Sequence, residues 1–377
     1  MPLKVLLVDH APIIGGVELM IRDLLTGLDP ALVAPTVVTD LHSPMRGKFS
    51  TIHPEIAISL TRLKRNPLAA LSLLKAALQL ARVARASHTD LIQTFTARTH
   101  LVGALAAPLA RTPLVWRVND DTLYRPLAAA FGRAPQRIIA VSRHLREHYA
   151  GVLPITDIIP DGVVLPPLIS RADARRKLNL PIDTCIVTLA ARIARWKGHT
   201  IFLRAFAELA PHYLQLHGLI VGGYSEADDR PGPLGGGKPY YRELLALTEE
   251  LGLTGRVTFA GHMEAIMLAF AASDIVAHTS TLPEPFGRVI VEAMAAARPV
   301  VAARAGGAQE IVDDGVTGLL APPGDANALA ATLRKMLVAP ELRQRMGAAG
   351  RARAEQEYSL PRMAERFTQV WEETTGR

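Results

Sequence analysis

The chain has 377 residues, 49% hydrophobic and 20% charged, so it can bury a core and is not broadly disordered; two domains is the natural division. Its single cysteine, Cys185, excludes a disulfide framework and a cysteine-rich zinc site and fits a reducing compartment. A net charge of +7 suits nucleic acid, anionic lipid or phosphorylated small molecules, but 5% aromatics and no zinc finger, RNP motif or long basic run set nucleic acid aside.

The opening MPLKVLLVDH carries one lysine and a short apolar run, too short for a signal peptide. No uncharged apolar stretch reaches 18 residues, so no span is expected and a cytoplasmic location is predicted. Residues 5–8 read as a buried strand, followed by a loop ending in Gly15-Gly16 and an amphipathic helix over about 17–28. Further strands are predicted near 36–39, 91–94, 114–118 and 138–141. Short apolar strands alternating with longer helices indicate parallel βαβ units. Prolines 166 and 167 mark an extended linker. The pattern then restarts with a strand over 185–190, a loop over 192–198 and a helix over 199–209, and continues with strands near 219–221, 257–260, 275–278 and 299–302. The predicted architecture is therefore α/β, two Rossmann-like doubly wound domains facing each other across a central cleft. Their expected bounds are 1–165 and 166–355, with a C-terminal helix over 356–377 that packs on either domain. Ligands of such sheets lie beyond the carboxyl ends of the strands.

Three segments carry chemistry. In Pro283-Glu284-Pro285-Phe286-Gly287-Arg288, followed by Val289-Ile290-Val291-Glu292, the first glutamate stands in a loop and the second in the second turn of a helix. Set eight positions apart, they are no tight dyad; they either grip two parts of one extended ligand or are solvated acids. The free N–H groups at that helix start favour an anion. In Arg192-Ile-Ala-Arg-Trp-Lys197, directly after a strand, Arg192 and Lys197 suit phosphate, and the alternative is a basic surface loop. Gly15-Gly16 before a helix allows close backbone approach to a ligand, although it is not the dinucleotide pattern G-x-G-x-x-G.

With these segments in this order the chain resembles glycosyltransferase family 4, retaining enzymes of the GT-B architecture, over nearly its whole length and most densely across 186–323. Glu284 and Glu292 match the family's E-x7-E motif, which implies a contact from the first to the transferred sugar and from the second to the donor ribose. Phe286, Gly287 and Arg288 lie inside that motif and are implied at the donor. Arg192 and Lys197 match the pair implied to bind the donor diphosphate. Gly222-Gly223 resembles the family's glycine-containing strand end, and the segment ending in Gly261-His262 resembles the base-pocket lining. Gly15-Gly16 fits the donor-phosphate loop, and Ser142 the Val-Ser turn. The resemblance breaks where the family often has a histidine after the strand at 115–118; this chain has Asn119-Asp120-Asp121. Asn119 and Asp120 are candidate hydrogen-bonders of a sugar hydroxyl, and His100 is a candidate for partial compensation. Asp161 stands where Asn is usual, read here as a turn substitution, since the two share turn chemistry.

The resemblance implies a retaining transfer of a sugar from a nucleotide-diphosphate donor to a hydroxyl of a glycan, lipid-linked or small-molecule acceptor. Arg192 and Lys197 would stabilise the departing diphosphate, Glu284 would orient the sugar and Glu292 the ribose. No D-x-D anchor occurs, so neither metal nor cofactor is expected. Two rivals are a sugar-nucleotide epimerase, which needs flanking acid and base groups, and a degenerate binder of nucleotide-sugars, motivated by Asn119. Residues 62–85 raise a possible peripheral contact with anionic lipid, because Lys75, Arg82 and Arg85 share a helix face with Leu71, Leu74 and Leu78. The bland alternative, a packed domain helix with snorkelling cations, is the preferred expectation. The insertion 224–241 reads as a surface turn or a lid over the donor.

Overall fold

The computed structural model describes residues 1–10, 15–60, 68–224, 232 and 234–377. Residues 225–231 and 233 of the insertion, including Asp228-Asp229, residues 11–14 before Gly15, and residues 61–67 of the basic segment lie outside the described residues. The chain forms two compact units, Met1–Gly162 with Tyr358–Arg377, and Val163–Glu357.

The first unit runs β1 (Leu3–Val8), α1 (Gly16–Gly27), β2 (Val33–Asp40), β3 (Glu55–Ile58), α2 (Leu68–Ala86), β4 (Leu91–Thr94), α3 (Ala97–Ala110), β5 (Leu114–Val118), α4 (Arg125–Phe131), β6 (Arg137–Ala140), α5 (Arg143–His148) and β7 (Asp157–Ile158). All its strands are parallel, in the order β3-β2-β1-β4-β5-β6-β7. The central strands β4 and β5 are buried along their whole length. Helices cover both faces of such a sheet, which is why these strands read as continuous apolar runs rather than alternating ones. Sequence reading missed β3, a four-residue edge strand, half-buried over most of its length and containing Glu55.

The second unit runs α6 (Arg171–Lys177), β8 (Cys185–Ala190), α7 (His199–Leu209), β9 (Leu216–Val221), α8 (Gly237–Glu250), β10 (Val257–Gly261), α9 (Ile266–Ala272), β11 (Ile275–His278), α10 (Arg288–Ala295), β12 (Val300–Ala303), α11 (Ala308–Ile311), β13 (Gly318–Ala321), α12 (Ala326–Leu337) and α13 (Pro340–Glu357). Its strands are also parallel, in the order β10-β9-β8-β11-β12-β13. The chain winds outward from β8 in one direction and then restarts at β11 in the other. The loops after β8 and β11 therefore open side by side, the switch point at which open α/β sheets bind ligands.

The last helix, α14 (Leu360–Thr375), belongs to the first unit. Its Phe367 and Trp371 are buried in one cluster with Ile21 and Leu24 of α1, and Trp371 Nε1 donates to Gln93 Oε1 at 2.9 Å. The break before it falls at 357/358.

Candidate functional site

The loops after β8 and β11 are held together by backbone and side-chain bonds. Thr281 N donates to Trp196 O at 2.7 Å, and Thr279 Oγ1 donates to Lys197 O at 2.8 Å. Between them sits Gly198, at φ +74°, where a Cβ would lie 1.9 Å from Thr279 O. Only glycine permits that approach. The result is that Lys197 on one loop meets Glu284 on the other, 87 residues apart in sequence, with Nζ 2.6 Å from Oε1.

Glu284 is a buried loop carboxylate and not the solvated acid that composition alone allows. Its Oε1 also accepts from His278 Nε2 at 2.9 Å and from Ser280 Oγ. Burial would push this carboxyl up, but the Lys197 ammonium and then His278 outweigh it and hold the group well below its usual range. Every protein donor to this side chain among the described residues lies on Oε1, leaving Oε2 as an acceptor for a ligand hydroxyl. His278 and Ser280 escaped sequence reading because they sit at the end of a buried apolar strand, where a histidine usually signals only core packing.

Gly287, at φ +108°, caps α10 in a conformation that favours glycine. At the first residue of that helix Arg288 Nε donates to Glu292 Oε1 at 2.8 Å, which pairs the second glutamate within its own helix. Phe286 is buried. Arg192 is exposed at the start of the β8 loop, whereas Lys197 is mostly buried and paired with Glu284. Gly222 N donates to Gly261 O and Gly223 O accepts from Ile193 N, both within 2.9 Å. These bonds tie the ends of β9 and β10 to the β8 loop, with exposed His262 beside Gly223.

In the first unit the corresponding loops behave differently. Gly15 N donates to Glu18 Oε2 at 2.7 Å, capping α1, and Gly16 has open space where a Cβ would stand. His10, overlooked in the sequence, meets Thr96 Oγ1 at 3.2 Å; burial, then the Arg98 cation, push it down to about 4. His100 corrects an expectation. Its ring is fully buried and stacks on Trp116 at 4.2 Å. Its Nδ1 meets Thr94 Oγ1 at 3.2 Å and its Nε2 meets Phe131 O at 3.0 Å, so neither nitrogen remains for a sugar. Burial pushes it down to about 4.

Asn119 is likewise a brace: its amide nitrogen donates to Phe95 O at 2.6 Å and its oxygen accepts from Arg117 at 2.5 Å. Arg117 is buried and pairs with Asp161 at 2.7 Å, so Asp161 is not a mere turn substitution. Exposed Asp120 accepts from Thr122 N and Oγ1, closing a local turn. Ser142 caps α5 through Leu145 N.

Comparison with known proteins places the chain in a family. Residues 170–353 match the family described as Glycosyl transferases group 1, and residues 14–165 match Glycosyltransferase Family 4. A D-inositol 3-phosphate glycosyltransferase of Saccharomonospora viridis is 30% identical over 311 residues, 75% of this chain and 70% of that protein. Its counterpart in Streptomyces scabiei is 33% identical over 296 residues, 72% of this chain but 65% of the relative's length. The crystal structure of Anabaena Alr3699/HepE in complex with UDP and glucose superposes with a TM-score of 0.83 at 27% identity, covering 98% of this chain and all of that one. Sucrose-phosphate synthase from Thermosynechococcus elongatus gives 0.83 at 25% identity, covering 99% of each chain.

Proposed function

We propose, from the premise that this chain belongs to glycosyltransferase family 4, that it transfers a sugar from a UDP-sugar to a hydroxyl acceptor with retention of anomeric configuration and without a metal ion. The observation that carries the reading is the Lys197–Glu284 pair at the switch point of the second sheet. UDP is chosen because a similar structure is described in complex with UDP and glucose. In the proposed step the bond between the anomeric carbon and the diphosphate oxygen breaks. The acceptor oxygen bonds to that carbon on the same face, and its proton passes to the departing diphosphate. Glu284 Oε2 accepts from a sugar hydroxyl, and Lys197, anchored on Oε1, brings its charge to the diphosphate together with Arg192. Glu292 holds the ribose. A preformed cationic site of this kind stabilises the developing negative charge without reorganisation.

The test is UDP release and product analysis with UDP-glucose and a panel of polyol, glycan and lipid-linked acceptors. Proton NMR of the first product reads the anomeric configuration. An inverted product removes the retaining mechanism, and activity abolished by EDTA and restored by Mg²⁺ removes metal independence. An epimerised donor without transfer favours the isomerase, and binding of UDP without turnover favours the degenerate binder.

One further observation bears on the acceptor. Along α2, Ala76, Ala77, Leu80, Ala81 and Ala84 face the core, yet Leu71, Leu74 and Leu78 are 66, 47 and 38% exposed. Lys75, Arg82 and Arg85 are exposed with them, and the spacing puts all six on one helical face. Leucines that share a face with cations and lie opposite the buried face fit an anionic lipid surface better than a packed helix with snorkelling cations. No helix among the described residues is long and apolar enough to cross a membrane, and the contact proposed is a peripheral one. Sedimentation with phosphatidylglycerol vesicles at low salt is expected to pull down the wild type and to lose Leu71→Ser/Leu74→Ser; an unbound wild type ends the idea.

A further inference from the structure

At the amino edge of the second sheet, the end away from Lys197 and Glu284, lies a cavity of about 310 Å³ lined by Arg171, Asp274, Arg298, Arg343 and Gln344 among others. Asp274 immediately precedes β11 and is the carboxylate that pairs with the arginines here. Its Oδ1 accepts from Arg171 and its Oδ2 from Arg175 at 2.5 Å. Arg175 is buried and spends its other donors on the carbonyls of Ala272, Ile182 and Thr184, so it is a structural member of the cluster. The three arginines on the cavity wall differ from it. Each is anchored through part of its guanidinium: Arg171 on Asp274, Arg298 on Ala296 O and Ser273 O, and Arg343 on Met336 O and Leu337 O. Nη2 of all three meets no acceptor among the described residues.

Four guanidinium groups gathered around one paired carboxylate leave an excess of positive charge in a concave site. Burial, and then the neighbouring Arg171, push Arg298 down to about 10, with Asp274 opposing them. Pre-anchored forks are the geometry that recognises phosphate oxygens. The volume stands at the small end of ligand pockets, too small for a nucleotide-sugar.

The geometry points to a second anion site, formed by Arg171, Arg298 and Arg343, that binds a small phosphorylated molecule or diphosphate. It shares no residue with the Lys197–Glu284 cluster. Strand β11 connects the two, since Asp274 precedes it and His278 ends it, an interval of about 13 Å at strand rise.

The experiment is calorimetric titration of inorganic pyrophosphate into the Lys197→Ala protein, which lacks one of the two cationic groups proposed for the other site, at constant ionic strength with chloride as control. Saturable binding near one per chain is expected, weakened at least tenfold by Arg171→Gln/Arg343→Gln. Arg171→Gln alone, a change at a half-exposed side chain, gives a smaller loss in the same direction and is the deciding variant if the double substitution lowers the melting temperature. Binding absent from Lys197→Ala, matched by chloride, or unchanged by the substitutions overturns the proposal.

Discussion

Removing either partner of the Lys197–Glu284 pair tests whether it is a buried electrostatic unit. The side chains are 17 and 10% exposed, so little water screens them. In Lys197→Met the carboxylate keeps His278 and Ser280 but loses its nearest cation, and an uncompensated buried charge costs about 3 kcal/mol. Glu284→Gln leaves a lysine whose flexible stem can turn to solvent and should cost about 1–2 kcal/mol. The double variant buries neither charge, so its loss should fall short of the sum by roughly 2 kcal/mol. Urea unfolding read by hydrogen exchange in peptides of α7 isolates the second unit, which avoids treating a two-unit chain as two-state. The pH dependence supplies a second reading. Glu284 has a depressed folded value, so its stabilising share is complete above the usual 4.5 and is lost as pH falls through the folded value. In Lys197→Met burial is less opposed, and the loss should begin at higher pH. Additive losses, or an acid limb that does not move, would refute the pair as the organiser of this site.

Three further outcomes follow from the same geometry. His10, His100 and His199 are each pushed from 6.5 to about 4, in every case first by burial; they stay neutral in the fold and charge when it opens. Their contribution is complete above pH 6.5 and disappears toward pH 4, about 3 kcal/mol each at most, so thermal scans should show acid loss beginning near pH 6, and a flat profile from 7 to 5 would contradict it. Gly198→Ala forces a methyl against Thr279 O and should cut kcat/KM by more than tenfold while unit 1 keeps its melting transition. Asp161→Asn removes the negative partner of buried Arg117 and should lower the melting temperature of the first unit by roughly 5–10 °C; an unchanged transition would show that Asn119 and the Ile159 carbonyl, which accepts from Arg117 Nη2 at 2.9 Å, suffice.

The fold was legible because its signal is local and repeated. Strands such as β4, β5 and β8 are apolar runs bounded by loops, and the restart after prolines 166 and 167 announces the second sheet. Edge strand β3 gave no such signal: it has four residues and contains Glu55. For the site, spacing located the loops but not the partnerships. Lys197 and Glu284 were recognised as separate functions, yet they meet because Gly198 lets two loops touch and because the strand order places β8 beside β11. Neither fact is a property of the residues themselves.

The departures in the first unit show the same limit more sharply. Asn119 and Asp161 were two independent oddities in the sequence, one a lost histidine and the other a turn variant. Arg117 joins them, giving one guanidinium edge to the Asn119 oxygen and another to the Asp161 carboxylate beneath Phe367 of the last helix. A buried arginine demands a carboxylate and acceptors on its remaining hydrogens. Once Arg117 occupies the strand, Asp161 answers its charge and Asn119 its geometry. The two residues thus answer one cation, and the end of β5 is a single bonded unit.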